Sequence, residues 1–315
     1  MTVYLFERHT AQGRIELSDR DRLDLIQRMS TNDVKALMQG QGAPTVLTTA
    51  TARIIDRVTL YHRGETALML THYPAKVMNW LQRHVFWQDR FKMRDRSSEL
   101  GQLELHGSGA ANLARSLVPN AAELTVHTMV EETDRGLMVA RMLPLLGEGY
   151  LLIGAQAALD QIQVQFVESG AVEVGDTALY ESLRVEAGLA GPDHELTEDY
   201  IPLEAGLWDS VSFHKGCYIG QEIIARMESR NKLAKTLVKL ELQGNAAEGA
   251  PILVNGEPVG VITSLAAPFP PREGVAQVAL GFIKPEYLSS QSLLAVGENI
   301  HAKIVPAALI ATRQG

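Results

Sequence analysis

Cysteine is all but missing from the chain: Cys217 is the only one in 315 residues. A single thiol excludes a disulfide within the chain and suits a reducing compartment. It also excludes an iron–sulfur cluster or a four-cysteine zinc site built from this chain alone. The nine histidines show none of the close pairing of metal sites, so no metal is assigned. Long hydrophobic runs are absent too. No stretch reaches 18 apolar residues, and no membrane span is expected. Glu7 and Arg8 interrupt the amino-terminal segment too early for a signal-peptide core, so a cytoplasmic location is expected. Positive charge is in short supply, with 29 Lys and Arg against 37 Asp and Glu and a net charge of −8. That balance argues against broad nucleic-acid binding, which needs a basic footprint. One local basic run, Arg90, Lys92, Arg94 and Arg96, is better read as a solvated strand or turn.

The residues that are present describe a mixed α+β chain. Hydrophobic residues make up 46%, enough for two or three packed units at this length. A strand is expected over 14–17, then a helix capped by Ser18 and Asp19 with Leu23, Ile26 and Met29 on one face. Ser30 to Asp33 read as the cap of a second short helix ending near Met38. Strands over 45–51, 53–62 and 66–71 precede a helix opened by Pro74 and running to about 85. A strand over 102–106 leads through Gly107, Ser108 and Gly109 into a helix over 110–118. Asn112 stands where a dinucleotide fingerprint needs its third glycine, so the turn reads as a strand-to-helix connection capped by Ser108. Strands at 124–131, 136–142 and 149–153 and helices at 156–169 and 176–187 follow. The stretch 188–219 is long, acidic and irregular, the mark of a functional or disordered segment. Beyond 234 the texture changes to alternating strands at 236–242, 251–254, 258–263, 275–284 and 299–305, with a hairpin signal at Asn255-Gly256. This predicts a carboxyl-terminal β barrel or sandwich of roughly 80 residues. The division falls near 230: a core over 1–230 and a barrel domain over 231–315.

Three stretches combine polar and tight-turn residues: Leu183-Arg-Val-Glu-Ala-Gly188, Ile201-Pro-Leu-Glu-Ala-Gly-Leu207 and Lys215-Gly-Cys-Tyr-Ile-Gly-Gln-Glu222. Each puts a carboxylate among apolar neighbours that would half-bury it, and a half-buried carboxylate needs a donor. Arg184 or Lys215 is one candidate. A ligand offering two adjacent N–H groups, such as a pterin ring, is the other. Cys217 has Lys215 two residues away and a helix start just ahead, which would lower a thiol pKa. The competing reading is an inert core cysteine, because cysteine packs as a small hydrophobe.

In this order the three stretches resemble the YgfZ branch of the folate-binding superfamily that includes the glycine cleavage T-protein, an aminomethyltransferase. The amino-terminal Ile15-Glu-Leu-Ser-Asp-Arg20 and Met29-Ser-Thr-Asn-Asp-Val34 match as well, and the resemblance covers nearly the whole chain. It implies a T-protein-like fold: a three-domain ring around a central folate cavity, with a carboxyl-terminal β barrel. It implies tetrahydrofolate, or a derivative, as cofactor. Glu204 would bind the pterin, with Glu186 and Arg184 supporting the pocket wall. Tyr180 would stack and Arg226 would meet the glutamyl tail. Cys217, with Lys215, Tyr218, Gly220 and Gln221, would carry the role specific to the branch, which is linked to assembly or repair of iron–sulfur clusters. Two departures stand out. T-proteins carry an acid in the helix after the third strand, whereas residues 71–79 here contain none, and Ala52 replaces a usual glycine.

Three readings follow from the resemblance. The first is a tetrahydrofolate-binding accessory protein for iron–sulfur proteins, with those proteins or their assembly factors as partners. The second is a folate-dependent one-carbon transferase. The third is a non-catalytic scaffold that meets a partner through Cys217.

Overall fold

The computed structural model describes residues 2–230, 232–288, 294–297 and 300–312. The chain forms two compact units. The first comprises Met1–Thr48, Ile55–Gly175 and Ser210–Ile219, the second Thr49–Ile54, Asp176–Asp209 and Gly220–Gly315.

In chain order the first unit contains β1 (Val3–Glu7), β2 (Gly13–Ser18), α1 (Arg22–Met29), β3 (Gly42–Thr48), β4 (Ile54–His62), β5 (Thr66–Thr71), α2 (Pro74–Gln82) and β6 (Lys92–Asp95). It continues with β7 (Leu100–Gly107), α3 (Ala110–Leu117), β8 (Met129–Glu132), β9 (Leu137–Arg141), β10 (Glu148–Ala155), α4 (Gln156–Glu168) and β11 (Val172–Val174). Two sheets result, ordered β3-β4-β5-β2-β6 and β11-β1-β7-β10-β9-β8. Their packing follows from strand alternation, which sends successive side chains to opposite faces. In β5, Ala67 and Met69 join the core under α1 and α2, with Leu25, Ile26, Val77 and Leu81. Leu68 and Leu70 face the other way and meet Met138, Leu151 and Ile153 of the second sheet. On β7, Leu103 and Leu105 pack under α3 and α4 with Leu159, Ile162 and Phe166. The intervening Gln102, Glu104 and His106 form a buried polar strip.

Several local expectations are revised. No helix spans 30–38, because the residues read as its cap are taken up by tertiary bonds. Thr31 Oγ1 donates to Ser210 O and accepts from Val46 N, while Asn32 N donates to Thr45 Oγ1. Helix α1 begins at Arg22 rather than directly after Ser18 and Asp19, for Ser18 ends β2 and Asp19 takes a left-handed φ of 77°. Ser108 does not cap α3; Glu148 Oε2 accepts from Ala111 N instead. The strand expected from 124 begins only at Met129, after a 3-10 turn at Ala121–Glu123. The basic run around β6 is solvated and paired, Arg94 with Glu99 and Arg96 with Glu16.

The second unit contains α5 (Thr177–Ala187), α6 (Gln221–Arg230) and strands β12 (Thr236–Leu242), β13 (Pro251–Val254), β14 (Glu257–Ala266), β15 (Gln277–Ile283), β16 (Leu294–Val296) and β17 (Ile300–Val305). Helix α5 is delimited as its sequence dictates. Asp176 caps it by accepting from Ala178 N, and Gly188 ends it with φ 81°, a conformation glycine adopts without strain. The strands form a closed barrel, β12-β15-β14-β13-β16-β17. Asn255 and Gly256 both have positive φ, as the β13–β14 hairpin requires. The sequence reading missed β16, which closes the barrel between β13 and β17. The strand expected from 299 is seen from Ile300, since 299 lies outside the described residues. The barrel strands begin at Thr236, but their compact unit also takes in residues 49–54, 176–209 and 220–230.

Candidate functional site

In the second unit, Glu204 lies in a tight turn that is 2% exposed. Its Oε2 accepts from Ile201 N at 3.2 Å, and its backbone oxygen accepts from Leu237 N at 2.8 Å. Burial pushes the Glu204 carboxyl above the usual carboxylate range. This outweighs the opposing backbone bonds from Ile201 and Lys235 and the charges of Lys235 and Arg53. Among the described residues it has no ion-pair partner. Beside it, Tyr200 stacks on Phe282 with ring centroids 3.6 Å apart, and the Lys235 ammonium sits 4.6 Å over the Tyr200 ring. Burial is the main cause that holds the Tyr200 hydroxyl up at about 12.

The two charged residues of α5 singled out by motif, Arg184 and Glu186, serve other partners. Arg184 is buried and donates to Glu181, Glu195, Leu189 O and Ser264 Oγ. Glu186 pairs with Arg272 at 2.8 Å and Lys239 at 3.4 Å, and accepts from Phe269 N. No hydrogen bond or ion pair among the described residues joins either of them to Glu204. Tyr180 is buried on the same helix at 6% exposure. On α6, Gln221 is the first residue, while Arg226 is exposed and pairs with Glu222 at 3.3 Å. The expectation that all three motif carboxylates are at least half-buried is therefore corrected at Glu222, whereas the Glu186 side chain is 13% exposed. Glu222 is 88% exposed on the solvent side of α6, and Glu186 is satisfied by two cations. Glu204 has two backbone donors, from Ile201 and Lys235, but no ion pair among the described residues.

In the first unit, Lys215 does not serve a carboxylate. Its ammonium donates three bonds to backbone oxygens, Gln27 O at 2.7 Å, Ser30 O at 2.9 Å and Asn32 O at 2.6 Å, and lies 5.1 Å over the Tyr218 ring. Burial lowers the Lys215 ammonium to about 8, with Asp33 opposing. It also lifts the Tyr218 hydroxyl to about 12. Ile219 N donates to Arg28 O and Ile219 O accepts from Thr48 Oγ1, so the loop is tied down on both sides of the cysteine. Cys217 itself is free and exposed, which sets aside the buried core reading.

One acid escaped the sequence reading. Residues 71–79 hold none, yet the buried Asp56 of β4 reaches the start of that stretch. Its carboxylate accepts from Thr71 Oγ1 at 2.5 Å, His72 N at 2.8 Å and the His72 ring, Nδ1 lying 2.9 Å away. The other ring nitrogen lies 3.3 Å from Gln12 Nε2. A carboxylate bonded to Nδ1 fixes which imidazole nitrogen carries the proton. The available signal was that β4 and β5 are adjacent antiparallel strands, which brings 56 and 71 together.

Comparison with known proteins places this geometry in a family. The pattern of the GCVT N-terminal domain matches residues 2–215. The chain belongs to the GCVT domain family. It is 30% identical over 302 residues to an aminomethyltransferase of Rubrobacter xylanophilus, covering 93% of this chain and 80% of that protein. It is 29% identical over 296 residues to a chloroplastic protein of Arabidopsis thaliana whose name assigns it provisionally to the transferases, covering 91% and 67%. The glycine cleavage system aminomethyltransferase T from Bartonella henselae superposes with a TM-score of 0.83 at 19% identity, over 99% of this chain and 87% of that one. The GCVT chain thus has a T-protein-like fold of mixed α and β content with a closed six-stranded carboxyl-terminal barrel. Among the described residues no helix is long and apolar enough to cross a membrane.

Proposed function

We propose that this GCVT-family chain binds tetrahydrofolate through Glu204 and acts as an accessory protein for iron–sulfur proteins, meeting them through Cys217. Glu204 carries the folate half. A buried carboxylate that has no ion pair among the described residues keeps acceptor capacity for the adjacent ring N–H and amino group that a pterin presents. Bound folate would supply nitrogens that carry one-carbon units; the chain supplies the acceptor that orients the ring. The exposed thiol on a tied-down loop supports the partner half. Calorimetry with tetrahydrofolate should give a dissociation constant in the micromolar range, about 8 kcal/mol; absence of heat and of competition removes the folate half. In a deletion strain, Cys217→Ala should fail to restore iron–sulfur enzyme activity, and full restoration removes the other half.

Asp56 favours a second reading, a one-carbon transferase related in chemistry to the aminomethyltransferases the chain resembles. The Asp56–His72 pair is a held carboxylate and imidazole of the kind that moves protons. Purified protein would then form methylenetetrahydrofolate from a lipoyl-carried aminomethyl group, and Asp56→Asn would lower that rate by about 100-fold or more. No product from the unaltered protein sets this reading aside.

A further inference from the structure

The outer rim of the second sheet in the first unit carries a groove that the folate and thiol chemistry leaves unused. Strand β11 is the last of its sheet and, among the described residues, pairs only with β1, so its other edge has no ladder partner among them. Helix α4 runs beside it with Leu159, Ile162 and Phe166 turned into the core. On its outer side, where polar residues are the norm, stand Val164 at 59% and Val167 at 41% exposure. Valine is a poor choice for an exposed helix position, since its branched side chain loses rotamer freedom there. Two such positions on one face therefore cost local stability without filling the core. Together with Glu7, Asp160, Gln163, Glu168 and Glu173, the α4 valines line a groove of about 390 Å³. Four carboxylates surround it and no Lys or Arg lines it. Glu7 meets His9 and Gln156, and Asp160 meets Gln156, whereas Glu168 and Glu173 have no ion pair among the described residues.

We propose that this groove docks an extended protein segment in which Lys or Arg alternates with aliphatic residues, added as a strand along the open edge of β11. Each part of the surface selects for one part of that segment. The free edge offers backbone donors and acceptors, the feature used when a peptide joins a sheet. The valines accept aliphatic side chains, which alternate at about 7 Å along a strand. The ring of carboxylates attracts cationic residues and repels acidic competitors.

The test uses the full chain and fluorescein-labelled Lys-Val-Lys-Val-Lys, with Glu-Val-Glu-Val-Glu and Lys-Gly-Lys-Gly-Lys as controls. Anisotropy should rise with the first peptide alone, weaken as salt is raised, and coincide with slowed amide exchange at residues 172–174. The double variant Glu168→Lys, Glu173→Lys should weaken binding by about tenfold or more. Val164→Ser with Val167→Ser should weaken it while leaving the melting temperature unchanged, because both side chains are exposed. No response at millimolar peptide overturns the proposal. So does equal binding of the glycine peptide, which would mean charge attraction without a groove, or binding indifferent to the charge reversal. Protection of 172–174 that appears only as the chain dimerises in sedimentation assigns the edge to a second copy and also overturns it.

Discussion

Glu204 is held in a state that folding disfavours and binding can exploit. Its carboxyl is raised by burial, so the folded chain grips that proton more tightly than the unfolded chain does. The sign follows directly. The stability this group contributes is complete below the ordinary carboxylate value of 4.5 and is lost as pH rises through the folded value. Glu204→Gln keeps the size and one acceptor but cannot ionise. The variant should therefore match the parent chain in acid and exceed it in stability near neutral pH, a difference read from urea midpoints at pH 4 and pH 7.5. In the proposed folate complex the same substitution would replace an acceptor by an amide donor against the ligand's N–H groups. Tetrahydrofolate affinity should drop by about 1.5–3 kcal/mol, or roughly 10- to 150-fold, in calorimetry. A variant that binds folate as well as the parent would show that Glu204 does not face the pterin. Higher stability with lost binding is the pattern expected of a residue retained for function rather than for folding.

At the scale of elements, one buried side chain ties together the first part of the irregular stretch after α5. Glu195 is fully buried and accepts from Gly191 N, Arg184, Thr263 Oγ1 and Ser264 Oγ. Glu195→Ala would leave the Arg184 guanidinium buried without its fully enclosed counter-charge. It should cost about 3–5 kcal/mol by urea unfolding at unchanged slope. Glu195→Gln keeps an acceptor for Gly191 N and should cost less; equal costs would mean that the charge is immaterial. This stretch also shows what sequence reading can reach. Its irregularity was visible, but its order was not, because the bonds that fix it run to Thr263 and Ser264, nearly 70 residues away. The helix expected over 30–38 failed for the same reason: Thr31 and Asn32 have good capping chemistry, yet tertiary partners claim it. Strand β16 was too short, at Leu294–Val296, to show an alternation. Elements whose instructions are local were legible: the strand at 66–71, the Asn255-Gly256 turn and the extent of α5, expected over 176–187. Of the site, Glu204, Lys215 and Cys217 stood out by motif, while Asp56 was invisible until strand pairing carried it to His72.

For the whole molecule, the question is whether a fold shared at 19% identity has kept a ligand. A fold persists through packing that many sequences satisfy, whereas a site depends on a few side chains, so the superposition alone does not decide. Linkage does. A ligand that binds only the folded chain stabilises it by RT ln(1 + [L]/Kd), about 2.7 kcal/mol at a hundredfold excess over Kd. For a chain of this length the unfolding entropy turns that into a rise of about 4 °C in the melting temperature. Scanning calorimetry under argon, with and without tetrahydrofolate, should show this rise in the parent chain and in Cys217→Ala, whose thiol lies on an exposed loop of the first unit. In Glu204→Gln the rise should shrink to about 0.5–2 °C at the same concentration, since a Kd roughly 10- to 150-fold weaker leaves about 0.3–1.4 kcal/mol of the logarithm. A rise that survives Glu204→Gln but disappears in Cys217→Ala would place the ligand against the thiol loop instead and reverse the roles assigned to the two motifs. No rise in any of the three would mean that the chain has the GCVT architecture and does not bind tetrahydrofolate.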